Sequence, residues 1–272
     1  MARTASIDSL AGIYRHGSWK GVALFRPLLG EKRLELQSYL RAVGQPWIDD
    51  PSNEDERFER VRIRKAMPVL RELGIGAEAL ADLAFRAQEA SQALWGATED
   101  WVKLHAKEYE TGYCTVETEA FAAQTPVLQM RILGWLVSRY GAGKMPEPGE
   151  RELLAAWLAT GASGRRTLGG AVVVRRKRIV LIGREPGRID PAPVAVPASG
   201  RVIWDGRFDI DAEPGSLVRP MVVAGPRARR EDIPAFVQDS LPVISCPGGG
   251  TIFPHLAGGR PDQARFRCRL VN

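Results

Sequence analysis

The chain has 272 residues, which is enough for one to three compact units and a sizeable core. Hydrophobic content of 44% and charged content of 26% exclude a disordered or fibrous chain. Lys and Arg number 38 against 32 Asp and Glu, a formal charge of +6 with a pI near 9.5. That balance favours polyanions, nucleic acid first, although many proteins carry such an excess without any ligand.

Cys114, Cys246 and Cys268 form no CxxC pair, and His16, His105 and His255 share no ligand spacing, so no metal site is expected. The sparse, odd cysteine count fits reduced thiols in a cytoplasm. No apolar run approaches the roughly 18–20 residues of a membrane span, and the first residues show no secretory signal, so no membrane partner is expected.

Along the chain, turn-like stretches around Gly12 and Gly17 to Gly21 precede a short strand over 22–25 and a helix start near Pro27. Residues 31–43 have helical apolar spacing, with Glu31 in the first turn, Gly44 placed to end the helix and Pro46 beyond it. Residues 47–60 are a polar loop, and 61–73 return to helix before the break at Gly74 and Gly76. A long helical tract starts near Ala77, another helix starts at Thr125-Pro126, and a third spans 150–159, so 77–160 reads as three or four helices.

From Gly161 onward, Gly and Pro are dense and β-branched runs are short. Residues 171–185 read as two strands around a basic turn, with further strands at 202–210, 216–225 and 242–246 and a helix near Ile233 to Gln238. Gly248 to Gly250 sit between short apolar runs and read as a hairpin turn rather than a phosphate cradle.

The loop is the most specific stretch: Trp47-Ile48-Asp49-Asp50-Pro51-Ser52-Asn53, then Arg60 and Arg64 four apart, with Pro68 after them. Before it stand Arg26-Pro27-Leu28-Leu29 and Gly44-Gln45-Pro46-Trp47. Further on come Arg166-Thr167-Leu168-Gly169-Gly170 and Trp204-Asp205-Gly206-Arg207-Phe208. In order and in spacing, this series resembles the tRNA(Ile)-lysidine synthase family.

The resemblance implies ATP-dependent ligation of lysine to the wobble cytidine of the isoleucine tRNA with a CAU anticodon. It implies tRNA and free lysine as partners, and ATP with magnesium as cofactors of the full-length enzyme. The family's S-G-G-x-D-S loop and D-D-x-x-E-T segment do not occur in this sequence, so the chain alone is expected to bind no ATP and to be inactive. Arg3, Leu10 and Gly12 match the family's glycine-rich segment, but Thr4, Ser6 and Ser9 replace its glycines. Three readings stay open: a fragment of the full enzyme, a non-catalytic tRNA-binding relative, or one half of a split enzyme with a separate catalytic chain.

The expected fold is α+β and multidomain. Residues 1–74 are the tail of a nucleotide-binding α/β catalytic domain of the ATP-pyrophosphatase type, 75–163 a helical substrate-recognition domain, and 164–272 a mainly β tRNA-binding domain. Arg60 and Arg64 share a helix face suited to phosphate and are the candidate catalytic residues, unless Asp55 or Glu59 pairs with them. Asp50 and Asn53 shape the loop through an Asx turn. Candidate tRNA contacts are Arg165, Arg166, Arg175, Arg176, Lys177 and Arg178, extended by Arg227, Arg229 and Arg230. Trp95, Trp101, Trp135 and Trp157 fall at core spacing, while Trp47 and Trp204 are the candidates for base stacking. The cysteines are expected to be small buried hydrophobes.

Overall fold

The structure is a computed structural model that describes residues 6–19, 22–141, 143, 145–224, 230–256 and 267–270. Arg3, Thr4, Arg227 and Arg229 therefore lie outside the described residues. Helices and several small antiparallel sheets are mixed, in two units, Met1–Trp95 and Gly96–Asn272.

The first unit opens with α1 (Ile7–Leu10), capped by the Ser6 hydroxyl, which accepts from the Ser9 amide at 3.2 Å. Strands β1 (His16–Trp19) and β2 (Val22–Phe25) pair antiparallel, with the His16 and Phe25 rings stacked 4.9 Å apart. Residues 16–19 are thus a strand where the sequence suggested a turn; with four residues and no apolar alternation they carry little β signal of their own. A 3-10 turn (Pro27–Gly30) leads to α2 (Arg33–Ala42). This helix ends as expected: Gly44 adopts φ +69°, and the Gln45 and Gly44 amides donate to the Leu40 and Arg41 carbonyls, at 2.9 and 3.2 Å.

After a second 3-10 turn (Pro51–Glu54) come α3 (Glu59–Glu72) and α4 (Ala77–His105), whose last ten residues belong to the second unit. Gln88 of α4 donates to the Ala11 and Ile13 carbonyls at 2.7 and 3.2 Å, and the Ser91 hydroxyl donates to Asp8, so α1 is tied to α4. Among the described residues of this unit, the buried apolar side chains are only Ala11, Val61 and Ala87.

The second unit is built on a five-stranded antiparallel sheet in the order β3-β4-β7-β6-β5. The hairpin β3 (Ala106–Tyr109) and β4 (Tyr113–Glu117) follows α4 directly. Helices α5 (Thr118–Ala122), α6 (Pro126–Tyr140) and α7 (Pro148–Ala159) come next, then β5 (Gly164–Leu168), β6 (Ala171–Arg175) and β7 (Ile179–Arg184). The hairpin at 106–117 lies within the stretch read from the sequence as helical. Because β4 pairs with β7, one sheet spans both sides of residue 163, the boundary expected from sequence.

One face of this sheet packs Cys114, Val116, Val173, Val180 and Ile182 against Ile132, Leu136, Val137 and Tyr140 of α6 and against α7. The other face packs Tyr113 and Leu181 against Ile233 and Val237. Cover on both faces explains why β6 and β7 read as nearly continuous apolar runs rather than alternating ones.

The chain continues through β8 (Val194–Ala195), β9 (Arg201–Trp204), β10 (Phe208–Asp211) and β11 (Leu217–Pro220), then α8 (Met221–Ala224) and α9 (Ala235–Asp239). It ends with β12 (Pro242–Ser245), β13 (Thr251–Ile252) and β14 (Arg267–Leu270). The sheets β14-β10-β9 and β13-β12-β11-β8 share a core of Trp204, Phe208, Ile210, Val218 and Ile244. Trp204 is 2% exposed, which removes it as a base-stacking candidate: strand alternation carries it inward beside Phe208. Gly248 to Gly250 do form the hairpin turn between β12 and β13, with the Cys246 amide donating to the Gly250 carbonyl at 3.1 Å.

Candidate nucleic-acid interface

In the first unit, the Asp50 carboxylate accepts from the Ser52 amide at 2.8 Å, and the Asn53 amide donates to the Asp50 carbonyl at 3.0 Å. This is the Asx turn expected of the loop. The Ser52 amide and then its hydroxyl hold the Asp50 carboxyl below its usual range; burial opposes this weakly, and the Arg60 charge adds to the lowering. The Arg60 guanidinium lies 5.2 Å from the Phe58 ring centroid. Both Arg60 and Arg64 are exposed on α3. Asp55 is held by Arg57 at 2.6 Å, and among the described residues no ion pair joins Asp55 or Glu59 to Arg60 or Arg64. Arg62, which the sequence did not single out, donates to the Glu56 and Arg57 carbonyls at 2.7 and 3.1 Å and fastens the loop to the helix. Pro68 has no N–H to offer the Arg64 carbonyl one turn earlier in α3.

In the second unit, the strand register gathers most of the expected RNA-binding cations. Gly164 pairs with Arg175, and the Arg176 amide donates to the Ile179 carbonyl at 2.8 Å, leaving Lys177 and Arg178 at the tip of a tight hairpin. Arg165 and Arg166 begin the neighbouring edge strand, so these five exposed cations meet at one corner of the sheet.

Arg175 does not join them. It is 8% exposed, points to the helix-covered face, and donates to the Gly161 carbonyl at the end of α7, because the turn begins one residue later than the sequence suggested. Arg230 is bound by Asp232 at 2.6 and 2.9 Å and donates to the His255 carbonyl at 3.3 Å. Arg184 is also buried: it grips Asp205 at 2.9 Å through two nitrogens, and Arg207 meets the same carboxylate at 2.7 Å.

Of the tryptophans, Trp47 is half-buried with the Arg41 guanidinium 5.3 Å from its ring, and Trp157 carries Arg166 at 5.6 Å. A separate hollow of about 400 Å³, lined by Glu99, Lys103, Glu108 and Trp135 among others, carries two carboxylates and is a poor match for phosphate. No described helix is long and apolar enough to cross a membrane.

A protein-family model described as PP-loop domain matches residues 1–70. Curated relatives match much more of the chain. One from Ruegeria pomeroyi is 32% identical over 212 residues, covering 76% of this chain and 48% of the relative. One from Rhodopseudomonas palustris is 34% identical, covering 69% and 58%, and one from Rhizobium meliloti is 29% identical, covering 92% and 54%. Each is named tRNA(Ile)-lysidine synthase. The chain spans about half the length of these relatives. The PP-loop match conflicts with the expectation that the chain lacks the family's N-terminal ATP-binding portion: residues 1–70 carry PP-loop-domain sequence, although the string S-G-G-x-D-S does not occur among the 272.

Proposed function

We propose that the chain works in tRNA(Ile)-lysidine synthesis, the ATP-dependent ligation of lysine to the wobble cytidine of an isoleucine tRNA with a CAU anticodon. The observation that carries this reading is collinear similarity to curated tRNA(Ile)-lysidine synthases over 69–92% of the chain. The five-cation corner on the second unit supports it as a sequence-blind grip on tRNA phosphates. In this reading residues 164–272 are mainly tRNA-binding, residues 75–163 take part in substrate recognition, and residues 1–74 belong to the ATP-using catalytic domain.

Arg60 and Arg64 face negative charge that develops at the α-phosphate as the adenylyl group passes to the cytidine and pyrophosphate leaves, and Asp50 and Asn53 hold the loop that presents Arg60. ATP is the energy source and magnesium its counterion. No group of three or more His, Cys, Asp or Glu is gathered for a metal among the described residues, so no step is assigned to that ion here.

A second reading, a tRNA-binding relative without catalysis, draws on the same five-cation corner, which can grip phosphate whatever residues 1–74 do. In it, these 272 residues bind tRNA and form no lysidine. Two measurements separate the readings. The first is binding of isoleucine CAU tRNA against another tRNA at several salt concentrations; the second is transfer of labelled lysine to that tRNA with ATP present. Selective, salt-steep binding with transfer supports the ligase, and selective binding without transfer supports the second reading. Absent binding together with absent transfer overturns both.

A further inference from the structure

We propose that the sheet face of the second unit beside α9 is a platform for a single-stranded stretch of RNA, an inference that rests on the tRNA-binding reading above. Side chains alternate between faces along each strand, so the register fixes which residues share this one. One row crosses all five strands: Arg165 pairs with Val174, Val174 with Leu181, Leu181 with Thr115, and Thr115 with Lys107. At a strand spacing near 4.8 Å, Arg165 and Lys107 stand roughly 19 Å apart. Arg176 and Ile179 lie in the next row, at the hairpin end.

Helix α9 covers only part of this face. Phe236 seats above Gly183, where a Cβ would come within 3.1 Å of its ring and 3.0 Å of the Tyr113 Cβ. Leu181 and Tyr113 are buried there, but Val174, Ile179, Thr115 and Tyr109 remain half-exposed, and Lys107, Arg165 and Arg176 are exposed. The opposite face is closed by α6 and α7.

The exposed groups have the two chemistries that single strands need. Arg165 rests 5.8 Å from the Phe236 ring, and Lys107 rests 5.2 Å from the Tyr109 ring, so each cation is steadied in place for a phosphate. The Tyr109 and Tyr113 rings lie nearly parallel, 4.3 Å apart, leaving the Tyr109 flank as an aromatic edge for a base. Of the nearby acids, Asp232 is held by Arg230, and the exposed Glu117 stands opposite Ile179 in the Arg176 row, two residues along β4 from Thr115. A duplex would bring only phosphates to this half-apolar floor, whereas an unpaired strand brings bases as well. The arrangement also separates two adjacent arginines: Arg165 belongs to the platform, while Arg166 points to the opposite face and stacks on Trp157.

The test uses the 272-residue chain, with anisotropy measurements on labelled isoleucine CAU tRNA and on a single-stranded RNA from 50 to 300 mM salt. The Lys107→Ala/Arg165→Ala variant is expected to lower the salt slope by about 1.4, at roughly 0.7 per single-strand phosphate contact, and to weaken binding on the order of ten-fold at 0.1 M salt. Tyr109→Leu is expected to weaken binding with the slope unchanged, and ultraviolet irradiation of the wild type to cross-link a base to Tyr109. Circular dichroism melting confirms that each variant is folded. Wild-type affinity and slope in the folded double variant overturn the platform while leaving tRNA binding intact. Failure of the wild-type chain to bind tRNA at any salt overturns the platform and the proposed function together.

Discussion

Asp205 illustrates how far a single residue reaches in this chain. Its carboxylate, 10% exposed, lies between the buried guanidiniums of Arg184 and Arg207, so it joins the end of the five-stranded sheet to the β9–β10 turn. It also adopts φ +50° beside Gly206 at +65°, as a tight hairpin with this twist demands. Replacing it with Ala leaves two buried cations without their anion and is expected to cost about 3–5 kcal/mol, read as a lower urea midpoint. Asp205→Asn keeps a residue that tolerates positive φ and removes only the charge; it is expected to retain most of that loss.

His255 is a second such residue. Burial first, and then the charge of Arg207, lower its pKa to about 4. Its folded pKa lies below the ordinary value of 6.5, so the unfolded chain binds the proton more readily. The stabilisation is therefore complete above pH 6.5 and is lost as pH falls towards 4. An imidazole NMR titration is expected to show the low midpoint, and the urea midpoint of the wild type to drop over that interval more than that of His255→Leu.

Arg60 carries the clearest catalytic expectation. In any preparation that forms lysidine, Arg60→Ala is expected to lower kcat by about 10²–10³, the usual loss when one preorganised charge donor is removed, and Arg60→Lys not to restore it.

At the scale of elements, the chemistry of the ends decided what the sequence could disclose. Helix α2 was legible because Gly44 must take positive φ and Pro46 forbids continuation; Gly44→Ala is expected to cost about 1–2 kcal/mol, measured by urea unfolding. Helix α6 was legible from Thr125-Pro126, although the Thr125 hydroxyl makes no capping bond and Pro126 carries the signal. The hairpin 106–117 was not legible: it follows α4 without a breaker, so the helical spacing of Trp101 and Leu104 appeared to run on. Its own mark is Gly112 at φ +79° between β-prone residues.

In the candidate interface, the basic hairpin was readable as a charge run, but the inward turn of Arg175 was not, since it depends on a two-residue loop that only pairing reveals. Arg175→Met is accordingly expected to leave the salt slope of tRNA binding unchanged, while Arg176→Ala and Arg178→Ala each lower it by about 0.7–0.9. The platform residues Lys107, Tyr109 and Thr115 carried no signal at all, because the row they complete runs on through Leu181, Val174 and Arg165, fifty or more positions away in sequence.

For the molecule as a whole, the apolar core is unevenly divided. Ile48, Leu34, Leu73 and Tyr39 of the first unit are 93%, 73%, 71% and 66% exposed, against three continuous buried clusters in the second. A unit that buries so little gains little to offset chain entropy. Amide exchange is therefore expected to be fastest within residues 6–75 and slowest in β4, β6, β7 and α6, with limited proteolysis beginning in the first unit.

The second unit also contains its own clock. Cys114 is fully buried between the sheet and α6, with burial, helped by Glu108, pushing its thiol well above the usual range. A thiol in that state does not react with an alkylating reagent until β4 parts from the helix. In a chain with Cys246 and Cys268 replaced by Ser, the pace at which iodoacetamide marks Cys114 would rise with reagent concentration and level off at the opening rate of the sheet, so mass alone would count excursions of the fold.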